Sequence, residues 1–471
     1  MESNNQSSQQ YQRKVSPLEQ MFLHAPYAIV TMVARIKGNI TEDLLRGAVA
    51  KVQQRHANLR TRIELDQNGI AWFTTQDVKE IPIDIISRET KDQWMGVVDH
   101  FGKIPFEFDV RPALRIILVQ SPQESELVIL CHHTICDGLS LAYLARDLMG
   151  HLGDPAREVE ILPDPVPIDK DNLPVGLSMN SVVNFFVKRI NNKWLEEKIT
   201  FDQQDYEALS ETYWSNYNHK MVLIELSEIQ TAELVERCKA EGTTVNSALS
   251  VALAAAQRTV EGVRPHHSKI TVAGSLRDRL KDKVGEGMGF FAGAVNLEYK
   301  YNDKIGFWEN SRKFNAKIQP LYTNKNLFGS PLVWCYLESG ILESLSFKMI
   351  GNLVSRDSDR YEKLSSFSTR EDVITSMLKR EKMDSMDNIL IGTAVTNLTR
   401  VDFPRNYGEL ELDRLIMGAG GAYPLVFVNL LAGVVTCSGK LSLVIEYSEE
   451  RIDTDTVEKI KEKVLEHLLK E

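Results

Sequence analysis

The chain has 471 residues, enough for two large domains or three of ordinary size, and its 43% hydrophobic and 25% charged content is that of a folded globular protein rather than a disordered or fibrous one. With 55 Lys and Arg against 65 Asp and Glu, the formal charge is −10. A phosphate backbone is repelled by such a surface, so no nucleic-acid partner is expected.

In chain order, Tyr27 to Ile36 is an apolar, β-branched run that predicts a strand. Thr41 then offers an N-cap, with Glu42 and Asp43 in the first turn and Leu45, Ala48, Val49 and Val52 on one stripe of a helix. Short extended pieces follow near Arg60 to Leu65 and Ala71 to Thr75, then two clear strands, Ala113 to Val119 and Glu126 to Cys131. Leu141, Leu144, Ala145 and Leu148 mark the next helix. Five of the sixteen prolines fall between 155 and 174, which blocks regular structure and marks a linker.

Val182, Phe185, Phe186 and Ile190 give a further helix an apolar stripe, read as a crossover helix packed on the body in preference to a substrate lid or a membrane-facing helix. Residues 201–217 are polar and Tyr-rich. The second part predicts a strand over Met221 to Leu226, helices over 228–241 and 245–259, strands over 270–276 and 291–301, and a helix from about Ile305. Residues 355–388 read as loops and short helices. Leu441, Leu443, Ile445 and Tyr447 alternate with Ser442 and Glu446 as in a one-sided strand, and Val457, Ile460, Val464 and Leu468 stripe a terminal helix. Strand and helix thus alternate in both halves, which predicts an α/β protein of two related lobes: an N-terminal lobe over 1–172, a crossover segment over 173–217 and a C-terminal lobe over 218–471.

The five cysteines, at 131, 136, 238, 335 and 437, are dispersed and odd in number, pointing to a reducing, cytoplasmic setting. Residues 1–12 lack the apolar core of a secretory signal. The stretch Leu415–Cys437 carries no charge over 23 residues, but its glycines, Pro424 and Asn429 favour a buried strand followed by a Gly turn over a transmembrane helix.

The residues with chemistry to offer are His132, His133, Asp137 and Gly138, in Cys-His-His-Thr-Ile-Cys-Asp-Gly, at the junction of a strand and a helix. If extension persists, successive side chains alternate, so His132 and His133 face apart, one toward a channel and one into packing. That geometry and the spacing argue against a metal held by the motif, and no metal is expected. Asp137 precedes a helix and suits an N-cap, so two structural histidines before a cap is the plain alternative reading of the segment. Nothing resembles a serine nucleophile elbow, and Cys136 has no evident activating base.

The segment resembles the His-His-x-x-x-Asp-Gly motif of the condensation-domain and chloramphenicol-acetyltransferase-like acyltransferase superfamily, and is similar to stand-alone members such as polyketide-associated acyltransferases and alcohol acetyltransferases. Weaker likenesses follow in the family's order: Ser16-Pro17-Leu18-Glu19-Gln20, Arg55-His56-Ala57-Asn58-Leu59-Arg60, Gly274-Ser275-Leu276-Arg277 with Gly289-Phe290 and Gly293, Thr396-Asn397-Leu398, and Gly439-Lys440-Leu441 through Tyr447. Asn406-Tyr407-Gly408 departs from the D-F-G-W-G of the plant branch. The resemblance implies two chloramphenicol-acetyltransferase-like lobes forming a V-shaped pseudo-dimer with a central channel. It also implies acyl transfer from a thioester donor to a hydroxyl or amine of a small acceptor, with His133 as general base. Asp137 is then expected to be structural, paired with Arg277. Backbone N–H of Gly138 and, more weakly, Asn397 are candidates for oxyanion stabilisation or channel lining. No permanently bound cofactor is expected: acyl-coenzyme A or an acyl-phosphopantetheine, on a carrier protein in the latter case, is a co-substrate. A coenzyme phosphate contact by Arg277 to Lys283 ranks below a solvated loop. A monomer is expected. A binding module of the same fold without activity, and a metal-dependent hydrolase, are the rival readings.

Overall fold

The computed structural model describes residues 12–380, 390–421 and 427–470. The readings that fall on residues 1–11, on 381–389 and on Pro424 lie outside them.

Two six-stranded mixed sheets organise the chain. The first contains β2 (Ile29–Lys37), β5 (Ile83–Ser87), β6 (Leu114–Gln120), β7 (Glu124–His132), β12 (Asn406–Tyr407) and β13 (Leu410–Gly418), in the spatial order β12-β13-β2-β7-β6-β5. The second contains β8 (His219–Glu225), β9 (Lys269–Ser275), β10 (Ala292–Glu298), β11 (Ile391–Arg400), β14 (Val428–Cys437) and β15 (Lys440–Ser448), in the order β10-β9-β11-β14-β15-β8. A small sheet of β1 (Gln12–Lys14), β3 (Arg62–Leu65) and β4 (Ala71–Thr74) flanks the first. Each large sheet carries parallel pairs, β5 with β6 in the first and β11 with both β9 and β14 in the second, among antiparallel ones. This is the two-lobe α/β architecture expected from the alternation of elements.

Helices cover each sheet as their stripes require. In the first lobe α1 (Pro17–Phe22) is followed by α2 (Glu42–Arg55), α3 (Gln93–Gly102) and α4 (Gly138–Gly153). Thr41 caps α2 by accepting from the Leu44 N–H, and the predicted stripes of α2 and α4 share one core with Ile116, Leu127 and Ile129. Each such buried aliphatic side chain contributes about 1.5–3 kcal/mol. In the second lobe α7 (Glu228–Ala240), α8 (Val245–Glu261), α9 (Phe307–Ile318) and the terminal helix Thr454–Leu469 pack on the sheet through Leu234, Ala252, Phe314 and Ile460. Residues 155–174 contain no helix or strand, as their prolines dictate.

Three expectations need correction. After the proline-rich linker, α5 (Ser181–Glu197) and α6 (Gln203–Asn216) share one apolar cluster with side chains from residues 337–374. The face of α5 that is buried runs through Val183, Val187, Ile190 and Trp194, while Val182 and Phe185 are exposed. Of the predicted stripe, Ile190 lies on the buried face, whereas Val182, Phe185 and Phe186 face outward and Val183, Val187 and Trp194 take their place. The strand β15 is buried on both faces. Its second face meets the first lobe, where Val444 and Leu223 join Val33, Val128, Leu130 and Ile416 in one cluster. Gly433 lies within β14 instead of in a turn. A Cβ there would stand 2.3 Å from the Met417 carbonyl oxygen, so the close approach of β14 to β13 requires glycine.

The first sheet is completed by β12 and β13 from the C-terminal part of the chain, with β13 antiparallel to β2. This exchange brings Met417, Ala419 and Gly420 to the histidine motif. No helix among the described residues is long and apolar enough to cross a membrane.

Candidate active site

The motif begins where β7 ends. His132 pairs with Ile29 of β2, and the His133 N–H donates to the Ala28 carbonyl at 2.8 Å, so the last bond of the ladder fixes the backbone between the two rings. The rings then meet different neighbours. His132 is fully buried, edge-on to Phe106 and Phe108, with Nδ1 2.9 Å from Thr134 Oγ1 and Nε2 3.0 Å from the Ala25 carbonyl oxygen. The Thr134 N–H also points at Nδ1, at 3.4 Å. The network is satisfied when Nε2 carries the proton and donates to Ala25. Burial pushes the His132 pKa down to about 3, so this ring is a neutral structural post.

His133 is only partly buried. Its ring stacks on Phe22 at 4.6 Å and 26° and meets Phe290 edge-on at 5.4 Å and 87°, between residues from both halves of the chain. Nδ1 lies 3.1 Å from the Cys136 carbonyl oxygen and Nε2 3.2 Å from that of Ala419. Burial lowers its pKa below the ordinary 6.5, against the opposing effect of the two carbonyls, and favours the neutral ring. A neutral imidazole has one N–H. When it donates to Cys136, the Nε2 lone pair faces the Ala419 oxygen, and an O–H or N–H that approaches from the side, within hydrogen-bond distance of both, would satisfy both.

Asp137 makes its hydrogen bonds to groups other than the His133 ring. Its Oδ1 accepts from the Ser140 N–H at 2.7 Å, from Ser140 Oγ at 2.8 Å and from Arg277 NH2 at 2.8 Å, while Oδ2 accepts from the Phe291 N–H at 3.1 Å. It is the N-cap of α4 and an anchor for the strand entering β10. Arg277 also donates to the carbonyls of Gly285 and Gly287, at 3.0 and 2.7 Å. Of the basic loop that follows, Lys281 and Lys283 are exposed.

Gly138 and Asn397 line a cavity of about 700 Å³ between α4, α8 and the ends of β9 and β11, together with Asp137, Tyr143, Ser275 and Phe291. A Cβ on Gly138 would stand 2.7 Å from Met417 Sδ and 3.0 Å from Leu398 Cδ2, so these side chains close directly over the start of α4. Asn397 is partly engaged, with Nδ2 3.4 Å from Asn246 Oδ1 and Oδ1 accepting from the Thr399 N–H at 2.7 Å. His132 and His133 are not among the residues lining this cavity. The Cys136 thiol is buried and donates toward the His132 carbonyl at 3.4 Å. Burial raises its pKa well above the ordinary value, so it is no activated nucleophile.

Two further features are not legible in the sequence. Glu446, 2% exposed, accepts from the N–H groups of Ala419 and Gly420 through Oε2, at 2.6 and 3.2 Å. One peptide unit thus offers its Gly420 N–H to Glu446 and its Ala419 carbonyl to His133. Burial pushes the Glu446 pKa up to about 8, and the two backbone donors only partly offset this. Glu446 and His219 line a second cavity, of about 230 Å³, with Tyr27, Thr31 and Trp214. The other feature is an ionic cluster. Asp147 accepts from Arg55 at 2.8 Å and lies 3.1 Å from His56 Nε2, while Arg146 grips Glu286 through two bonds of 2.6 Å. Burial opposes ionisation of Asp147, but His56 and the two arginines hold its pKa down at about 2. The Arg55-His56 pair was the available signal, without a sign of its partner.

Residues 3–153 match the family model of the condensation domain. Cyclosporin synthetase of Tolypocladium inflatum is 23% identical over 271 residues, which is 57% of this chain but 2% of that protein. A probable non-canonical nonribosomal peptide synthetase of Salinispora arenicola is 23% identical over 326 residues, 65% of this chain and 4% of that one. The chain therefore spans a small fraction of these relatives. Among solved structures, the TRI3 trichothecene 15-O-acetyltransferase of Fusarium sporotrichioides superposes with a TM-score of 0.62 at 11% identity, covering 99% of this chain and 96% of that one. The epimerization domain from the third module of tyrocidine synthetase B gives 0.58 at 13% identity, over 98% and 97% of the two chains. The likeness to the condensation domain is borne out over residues 3–153, and the fold shared with these solved structures extends over nearly the whole chain. Proteins of this fold carry names of different reactions, so the reaction has to be argued from the site.

Proposed function

We propose that this chain, built on the condensation-domain fold, is an acyltransferase that moves an acyl group from a thioester to a hydroxyl or amine. The observation that carries the reading is the placement of His133: a neutral, partly buried imidazole, clamped by Phe22 and Phe290 where the two halves of the chain meet, with Nδ1 3.1 Å from the Cys136 carbonyl oxygen and Nε2, the nitrogen assigned as the base, 3.2 Å from that of Ala419. The acceptor O–H or N–H gives its proton to Nε2 as the oxygen or nitrogen attacks the thioester carbonyl. When the tetrahedral intermediate collapses, the C–S bond breaks and the imidazolium returns the proton to the departing thiolate. No covalent acyl-enzyme forms.

The backbone of Gly138 at the start of α4, on the wall of the 700 Å³ cavity, supports a role in receiving the developing oxyanion, with Asn397 as the second polar group on that wall. Asp137 and Arg277 hold the loop that carries His133 and are positioning residues. The donor is an acyl-coenzyme A or an acyl-phosphopantetheine on a carrier protein, and the acceptor is a small alcohol or amine. All five cysteines are free and buried, which supports a reducing, cytoplasmic setting.

The test is thiol release from short- and long-chain acyl-coenzyme A and acyl-pantetheine donors, each with alcohol and amine acceptors. Release that requires both donor and acceptor is expected. Absence of release across the whole screen would favour a binding module of the same fold.

A further inference from the structure

We propose that Glu261, His266 and His267 form a binding site for a divalent transition-metal ion of the zinc type, in the second lobe and outside the histidine motif. The local chain builds the cluster. Helix α8 ends at Glu261, Gly262 turns the backbone with a φ of 77°, and a short 3₁₀ turn over Pro265–Ser268 brings both histidines back beneath the helix end.

One ligand atom from each of the three residues lies within 4.8 Å of the other two. His267 Nε2 is 3.2 Å from Glu261 Oε2, and the two imidazole rings lie 4.5 Å apart at 82°. Ligands about 2.0–2.2 Å from a tetrahedral zinc ion stand roughly 3.2–3.6 Å from one another, so one edge of the coordination figure is already at that length and the other two are no longer than 4.8 Å.

The donor set is specific in kind. Two imidazoles and one carboxylate suit zinc and its neighbours, with water in the fourth position, whereas calcium and magnesium take oxygen ligands. Exposure is 8% for His266 and 6% for His267, while the Glu261 side chain, at 19%, leaves an entry from solvent.

Support beyond the ligands is also present. Asn429 Nδ2 lies 3.5 Å from Glu261 Oε2 and donates to Gln257 Oε1 at 3.0 Å, and Gln257 Nε2 donates to Thr393 Oγ1 at 2.6 Å. The carboxylate is thus oriented by side chains of α8, β11 and β14, as the surroundings of a metal site require. The 3₁₀ turn sits so close to β11 that a Cβ at Gly392 would meet the His266 carbonyl oxygen at 2.5 Å. A bound ion would therefore tie the end of α8 to the sheet.

The experiment uses the full chain, stripped of metal by dialysis against chelator and titrated with Zn²⁺ alone by calorimetry. One equivalent per chain is expected, with a rise in melting temperature at saturation. Glu261→Gln and His267→Asn should each weaken binding by more than the roughly 10–100-fold that loss of a supporting group costs. His133→Ala should leave it unchanged. If either ligand variant fails to fold, His266→Gln replaces it. No zinc equivalent in the unmodified chain, full binding retained in the ligand variants, or binding lost in His133→Ala would each overturn the proposal.

Discussion

Arg277 reaches across 140 residues of sequence to place its NH2 2.8 Å from Asp137 Oδ1, in a pair whose side chains are 4% and 8% exposed. The same NH2 lies 2.7 Å from Ser140 Oγ, so the start of α4 and the loop before β10 share one charged knot. Removing either charge leaves the other buried without its partner. Asp137→Ala and Arg277→Ala are each expected to cost about 3–5 kcal/mol in denaturant unfolding, and the double variant far less than their sum. Additive losses would show that the two residues act independently.

Gly138→Ala tests how tightly the start of α4 is roofed. Alanine is the better helix former, by less at this first helical position than the roughly 1 kcal/mol of a helix interior, but its Cβ would meet Met417 Sδ at 2.7 Å and Leu398 Cδ2 at 3.0 Å. Overpacking wins on these distances, and a net loss of stability of about 1–3 kcal/mol is expected by calorimetric melting. A variant more stable than the parent would mean that Met417 and Leu398 swing away freely.

Glu446 should leave a signature in the pH dependence of stability. Its folded pKa of about 8 lies above the ordinary 4.5, so the folded state binds the proton more tightly than the unfolded chain. The stabilisation this provides is complete below pH 4.5 and is lost as pH rises through about 8. Relative to the parent, Glu446→Gln should therefore gain stability steadily between those limits and level off above them. A difference independent of pH would show that Glu446 is ionised throughout.

His132 should do the reverse at acid pH. Burial lowers its pKa from 6.5 to about 3, so its contribution is present above pH 6.5 and is lost as pH falls through about 3. Unfolding of His132→Gln measured over that range should lack this part of the parent's acid sensitivity. Equal acid slopes would mean that the ring takes up a proton within the fold.

Much of this fold is written locally. Thr41 and Asp137 cap the helices they precede, and the stripes of α2, α4 and the terminal helix are the faces they bury, because caps and 3.6-residue periods depend only on neighbours in sequence. What the sequence leaves out is set by contacts between distant segments. β15 looks one-sided until the first lobe covers its polar-looking face, and only then does Glu446 become a buried acid beside the His133 shelf. β13 gives no sign that it will leave its own half and pair with β2, yet that exchange delivers Ala419 to Nε2 of His133. The candidate site was legible through the spacing of His132, His133, Asp137 and Gly138, whereas the Phe22 and Phe290 clamp, the Arg146–Glu286 link and the role of Met417 depend on tertiary proximity alone.

The proposed role of His133 is that of base for attack on a thioester. It is tested most directly by acceptor-dependent thiol release from an acyl thioester in His133→Ala, beside a melting curve that verifies the fold. A folded variant in which turnover falls by about 10²–10⁴-fold or more, with the structural His132 intact, is the predicted result. Turnover retained at the parent's level in the folded variant would contradict the account.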